Sequence, residues 1–221
     1  MTKMTYLMVT MMNKAQMSSE TTPSTSSRPK AGPAATIALR RDLDGIDVGR
    51  GVAADIDPRS PGFEAWGGTS ALHALTGEPI GPAPRSQNFT IYWDGDPGVE
   101  LLDGNHIDKW DWTAGTLNRL FTADRANSNN GSKSTPVLSA DLFGDWREEL
   151  ILRASDNHSL YVYTTSLPTD VRLFTLMHDP TYRLAVATQN VGYNQPPHTG
   201  FYLGFGTKFP VRRPNIVTPV P

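Results

Sequence analysis

Along most of the chain, short apolar runs alternate with clusters of Gly, Pro, Asn and Asp, the pattern of an all-β protein. The runs begin near Ala35 with ATIALRRD and continue as GRGVAADID (49–57), FEAWGG (63–68) and ALHALTG (71–77). NFTIYWDGD (88–96) follows, then VELLDGN and HIDKWDW. TPVLSADLFGD, EELILRAS and SLYVYTT repeat strand, turn and strand between residues 135 and 165. Residues 175–204 read as one or two further strands around a polar, Pro-rich loop. Helical periodicity is weak throughout. Residues 1–34 carry SSETTPSTSSRPKAGPAA, with almost nothing apolar to bury, and are expected to be a disordered or atypical leader before a folded part at 35–221.

A loose repeat runs through the strands. Asp55, Asp94 and Asp141 each close an apolar run, about 39 and about 47 residues apart, a spacing within the range of propeller blades. Further carboxylates accompany each one: Asp57 and Glu64, then Asp96 and Glu100, then Asp145, Glu148 and Glu149. Calcium takes six to eight oxygen ligands, so acids gathered on a loop and backed by carbonyls suit it. No EF-hand pattern is present. The plainer account is solvated Asp-Gly turns, and repetition in three turns favours calcium over it.

Composition narrows the function classes. A net charge of -2 and a pI near 6.2 argue against a general nucleic-acid binder. The absence of cysteine excludes disulfides, thiolate nucleophiles and sulfur-ligated zinc. No apolar run approaches the roughly 18 residues of a membrane span. The N-terminal MTKMTYLMVTMMNK is interrupted by Thr and Asn and lacks a small-residue cleavage site, so it makes a poor signal peptide. The histidines show no HxH or HExxH spacing, and no phosphate loop or GxSxG elbow occurs.

Basic and amide residues mark a second kind of site. Asn130, Gly131, Ser132 and Lys133 place an amide, a flexible residue, a hydroxyl and a cation side by side, suited to an anionic, hydroxyl-rich ligand. Arg50 leads into a strand, from which a guanidinium can clamp a carboxylate in bidentate fashion. Tyr193, in the loop NVGYNQPPH, offers a phenol that can donate a proton or stack on a sugar. Each also has an ordinary reading, as a surface cation or a turn residue. Pattern alone therefore reaches a calcium-binding all-β protein with an anionic-ligand site.

Five stretches go further: DVGRGVAADIDPRSPGFEAWG, NFTIYWDGD, NNGSKSTPVLSADLFGDWREELILR, FTLMHDPTYRL and NVGYNQPPHTGFYLGFG. Together, over roughly residues 40–207, they closely resemble the C-terminal part of rhamnogalacturonan lyases of polysaccharide lyase family 11. The resemblance implies a partial, calcium-stabilised β-propeller, the family having eight blades. It implies cleavage between rhamnose and galacturonate in the rhamnogalacturonan I backbone of pectin by β-elimination. Arg50, Lys133 and Tyr193 match catalytic positions, and Asn130, Gly131 and Ser132 the rhamnose contacts, with Ser132 where the family often has Thr. The acidic turns match Ca²⁺ loops. An extracellular monomer acting on polysaccharide or oligosaccharide, truncated relative to the whole enzyme, is the corresponding expectation. The alternative is a non-catalytic calcium-binding propeller module for carbohydrate or protein.

Overall fold

A computed structural model of the chain describes residues 50–67, 77–191, 195–209 and 211, with the backbone alone of residues 70–73. The expected leader at 1–34, the run at Ala35 and Tyr193 lie outside the described residues. The described chain is mostly β, as the alternation predicts. Strands β1 (Val52–Ala54), β2 (Glu64–Trp66), β3 (Ser70–His73) and β4 (Pro79–Pro82) form one sheet in chain order. Strands β5 (Phe89–Ile91), β6 (Glu100–Asp103), β7 (His106–Asp111) and β8 (Thr116–Thr122) form the next. In the third, β10 (Leu138–Ala140), β11 (Glu149–Ala154) and β12 (Leu160–Tyr163) follow in order, and the short β9 (Ala126–Asn127) pairs with the far end of β11.

Every neighbouring pair is antiparallel, and all but β9–β11 are sequence-local hairpins. Local turn chemistry sets them. Asp103 pairs with His106 across Gly104 and Asn105, and Gly104 at φ 61 supplies the backbone conformation that a two-residue hairpin loop needs. Strand β8 escaped the sequence reading because TLNRLFT mixes Asn and Arg among its apolar positions and lies largely exposed. It is placed by its pairing with β7 along six residues of register.

The second sheet lies between the other two. Leu101 and Leu102 are adjacent on β6 and point to opposite faces, as successive strand residues must. Leu101 packs in a core with Val52, Trp66 and Trp110, and Leu102 in another with Phe89, Ile107, Leu150 and Leu152. Tyr92 and Trp93 divide between the same two cores. Only the central Leu101–Leu102 pair of β6 is apolar, so burial on both faces shows in the sequence as two adjacent leucines between acids.

The expected strands after residue 175 are corrected by a helix, α1, at Pro180–Thr188. Asp179 caps it by accepting from the Thr181 N–H at 3.0 Å, and Pro180 at the first helical position loses nothing by lacking an N–H. This Asp-Pro start outweighs the strand propensity of the following residues. Helix α1 carries Tyr182 into the first core and ends at Gln189, which is buried. The Gln189 amide pairs with the free edge of β10 as a strand would. Its Oε1 accepts from the Ser139 N–H at 2.9 Å and its Nε2 donates to the Ser139 carbonyl at 3.0 Å.

Candidate functional site

Asn130 to Ser134 form a tight turn immediately before β10. Asn130, Gly131 and Ser134 all have positive φ, at 60, 55 and 51°, around the single 3-10 turn Gly131–Lys133. Two of these are not glycine, so the turn holds backbone strain of the kind that gathers at functional sites. Cross-links resist it. Asn129 and Thr135 exchange main-chain bonds of 2.7 and 3.2 Å, and the Asn130 amide donates to the Thr135 hydroxyl at 2.7 Å. Arg50 supplies a third link from the start of β1, its guanidinium donating to the Lys133 carbonyl at 2.9 Å and the Ser132 carbonyl at 3.0 Å. The sequence-predicted Arg50, Asn130, Gly131, Ser132 and Lys133 thus meet in one place.

The loop of Tyr193 starts nearby. Asn190, just after α1, donates to the carbonyls of Pro136 at 3.2 Å and Val137 at 3.0 Å, on the segment that leads from the Lys133 turn into β10.

The three acidic turns share one backbone device. The last residue of the first strand faces a glutamate that opens the second: Ala54 with Glu64, Ile91 with Glu100, Ala140 with Glu149. One carboxylate oxygen of that glutamate accepts from two successive N–H groups of the turn. These are Ile56 and Asp57 for Glu64, Trp93 and Asp94 for Glu100, and Leu142 and Phe143 for Glu149, all between 2.8 and 3.2 Å. The device also fixes the true repeat register. The residue following the strand is Asp55 in the first sheet and Asp141 in the third, but Tyr92 in the second. Asp94 lies two places further on, so the sequence repeat paired it with the wrong neighbours.

The turns differ in what balances their acids. In the first, Asp57 is paired with Arg59 at 2.6 Å, and Arg59 lies 4.7 Å over the Trp112 ring. Asp55 accepts from the Tyr202 hydroxyl and from the Phe205 N–H at 2.8 Å through Oδ2. Its Oδ1 and the Glu64 Oε1 are buried without a hydrogen-bond partner. Burial pushes Asp55 up to about 7 and Glu64 up to about 8. Gly204 makes this approach possible, since a Cβ there would come within 2.1 Å of Asp55 Oδ2.

In the second turn the carboxylates of Asp94, Asp96 and Glu100 place an oxygen each within 4.8 Å of one another, close enough for one cation. The Lys109 ammonium sits among them, at 2.5, 2.5 and 2.9 Å. In the third turn, donors of the chain take up the acids. Asp141 accepts from the N–H groups of Gly144 and Leu176, at 2.8 and 2.7 Å. Glu149 accepts from the Thr164 hydroxyl at 3.0 Å, and Asp145 pairs with Arg147 at 2.5 Å. Glu148 accepts from the Tyr92 N–H at 2.9 Å and the Tyr182 hydroxyl at 2.6 Å, and burial pushes it up to about 7.

Sequence reasoning missed the donors: Lys109, Tyr182, Gln189 and Tyr202. Only Lys109 left a usable signal, being one step beyond the Leu101–Asp108 pair and so across from Glu100. The tyrosines come from distant segments and carry no local pattern.

The chain as a whole is similar to a known group of proteins. The chain matches the description "Rhamnogalacturonan lyase family 11, C-terminal domain" over residues 11–213. It belongs to this family. The rhamnogalacturonan endolyase YesW of Bacillus subtilis (strain 168) is 55% identical over 176 residues, covering 79% of this chain and 28% of its own length. The rhamnogalacturonan exolyase YesX of the same organism is 50% identical over 183 residues, covering 75% of this chain and 30% of its own. The solved structure of YesW superposes with a TM-score of 0.73 at 54% identity, covering 77% of this chain and 29% of that one. A Bacillus licheniformis rhamnogalacturonan lyase gives 0.70 at 55% identity, covering 73% and 28%. The chain thus spans less than a third of the length of the relatives it matches.

Proposed function

We propose that this chain forms part of a rhamnogalacturonan lyase that cleaves the rhamnose–galacturonate bond of rhamnogalacturonan I by β-elimination, outside the cell where the polymer lies. The observation that carries the reading is the link from Arg50 to the Lys133 turn, which joins the basic residues to Asn130, Gly131 and Ser132. Family membership names the substrate class, and the geometry gathers residues of the right chemistry. The sheets are read as propeller blades, a reading supported by two four-stranded meanders and a third sheet, a three-stranded meander joined by β9, in succession along the chain and packed through shared cores.

Elimination begins at C5 of the galacturonate. Its proton is removable only when the adjacent carboxylate is neutralised, because charge builds on that group in the transition state. Arg50 and the Lys133 turn supply positive charge there, and Lys133 is assigned as the base. As the C5 proton leaves, its electron pair forms the C4–C5 double bond and the C4–O bond breaks, releasing the rhamnose oxygen to take up a proton. Tyr193 is assigned to orient the sugar or supply that proton. Asn130 and Ser132 offer an amide and a hydroxyl to the rhamnose.

The first acidic turn fits a calcium ion. Asp55 Oδ1 and Glu64 Oε1 are buried, unpartnered acceptors, and a hard cation with oxygen preference would satisfy both. Bound calcium would supply positive charge to Asp55 and Glu64, whereas Asp57 is already answered by Arg59.

The test is ultraviolet absorbance of the unsaturated uronate, with the chain, rhamnogalacturonan I and calcium, repeated with chelator. A rise that Lys133→Ala abolishes, with calcium binding intact, is expected. Undiminished activity in that variant would remove Lys133 as the base.

A further inference from the structure

The second acidic turn has the appearance of a metal site, yet it carries its own cation. We infer that Lys109 is the resident cation of this turn, tethered through β7, and that the turn takes no calcium. Each of the three carboxylates gives one oxygen to a main-chain N–H and the other to the Lys109 ammonium. Asp94 Oδ1 accepts from Asp96 N at 3.1 Å, Asp96 Oδ1 from Gly98 N at 2.8 Å, and Glu100 Oε2 from Trp93 N and Asp94 N. The remaining oxygens, Asp94 Oδ2, Asp96 Oδ2 and Glu100 Oε1, converge on Nζ. An ammonium has three N–H donors, one for each. Calcium would meet the same three oxygens, about half of the six to eight it takes.

A second observation separates this turn from its neighbours. The position that follows the first strand is an aspartate in the other two sheets, and here it is Tyr92. The Tyr92 ring packs in the first core and its hydroxyl donates to the Leu203 carbonyl at 2.9 Å. The turn therefore lacks the carboxylate that Asp55 and Asp141 place at this point. The residue facing the strand-opening glutamate differs as well. In the third sheet Thr164, a neutral donor, meets Glu149, and in the second Lys109 meets Glu100. Lys109 stands on β7 between β6 and β8, so its stem leaves the sheet already aimed at the turn. Burial pulls the ammonium down, while Glu100, Asp94 and Asp96 outweigh it and hold it above the usual lysine value.

Two variants of the full chain test this by counting bound calcium with titration calorimetry and following thermal melting in calcium and in chelator. Lys109→Met keeps the stem and removes the charge. In chelator it is expected to melt about 10 °C below the parent, because three carboxylates lose their counter-charge. In calcium it is expected to bind no more ions than the parent and to recover none of that loss, because the turn still offers only three carboxylate oxygens and has Tyr92 where its neighbours have an aspartate. A variant that melts together with the parent in chelator would overturn the inference. Asp96→Asn leaves Lys109 in place at a partly exposed carboxylate and serves if the first variant does not fold. It is expected to leave the calcium count unchanged. A count lower by one would show that the second turn holds calcium beside Lys109 and would overturn the inference. Both readings are differences between proteins, so they stand or fall separately from calcium at the first turn.

Discussion

The Arg50 guanidinium and the Lys133 main-chain oxygen meet at 2.9 Å, although 83 positions separate them in the chain. The guanidinium, expected to clamp a ligand carboxylate, spends two donors on carbonyls of the Lys133 turn. It fixes the place of the turn as well as charging it, so its planar fork is needed where a lysine ammonium would reach only one point.

Removing this link should loosen the turn more than the fold. Arg50→Ala is expected to cost about 1–2 kcal/mol locally, the worth of two charge-assisted bonds that are partly exposed. Hydrogen exchange at the Lys133 and Ser134 amides, which donate to Asn130 and Gly131, should speed up while the β6 and β11 amides stay protected. Unchanged exchange at residues 133–134 would show that Arg50 does not position the turn.

The first turn gives a calcium prediction with a sign. Glu64 is raised from 4.5 to about 8 by burial, so the folded state binds the proton more tightly than the unfolded chain does. Stability is therefore highest below the unfolded value and is lost as pH rises from about 4.5 to about 8 when no cation is present. Calcium should offset that loss at pH 8. Glu64→Gln, which cannot ionise, should melt at least as high as the parent in chelator at pH 8 and gain little from added calcium.

Glu148 gives a second pH dependence that calcium should not remove. It lies against the Tyr182 hydroxyl and the Tyr92 N–H, near Asp141 and Glu149, and burial raises it from 4.5 to about 7. Its ionisation disfavours the fold by about 3 kcal/mol once pH has passed from about 4.5 through about 7. Glu148→Gln should flatten the slope of urea stability between pH 5 and pH 7, in calcium and in chelator alike. An unchanged slope would place the titration elsewhere.

Gln189 should behave as a missing strand. Gln189→Leu leaves the N–H and C=O of Ser139 buried without partners, at a cost of about 3 kcal/mol. Urea melts of the two proteins measure the difference. A change below about 1 kcal/mol would mean that water reaches the β10 edge once the amide is gone.

The alternation of apolar runs and turn clusters determined that the chain is β-rich, and it placed β1, β2, β5, β6, β7, β10, β11 and β12 within a few residues. Local chemistry suffices there, because hairpins join strands adjacent in sequence and turn residues such as Gly104 and Gly115 set their turns. The same local evidence carried the strand-opening Glu64, Glu100 and Glu149, and the residues that mark the family. Helix α1 was legible in the Asp179–Pro180 start, but the β-branched and apolar residues after it drew the reading toward a strand. Tertiary structure alone decided which donor answers each carboxylate: Tyr202 from near the C-terminus for Asp55, Lys109 from the next strand for Glu100, Tyr182 from α1 for Glu148. It alone showed that Tyr92, not Asp94, is the counterpart of Asp55 and Asp141. A buried carboxylate must find a partner, but chain closure chooses it, and that choice leaves no periodic trace in the sequence.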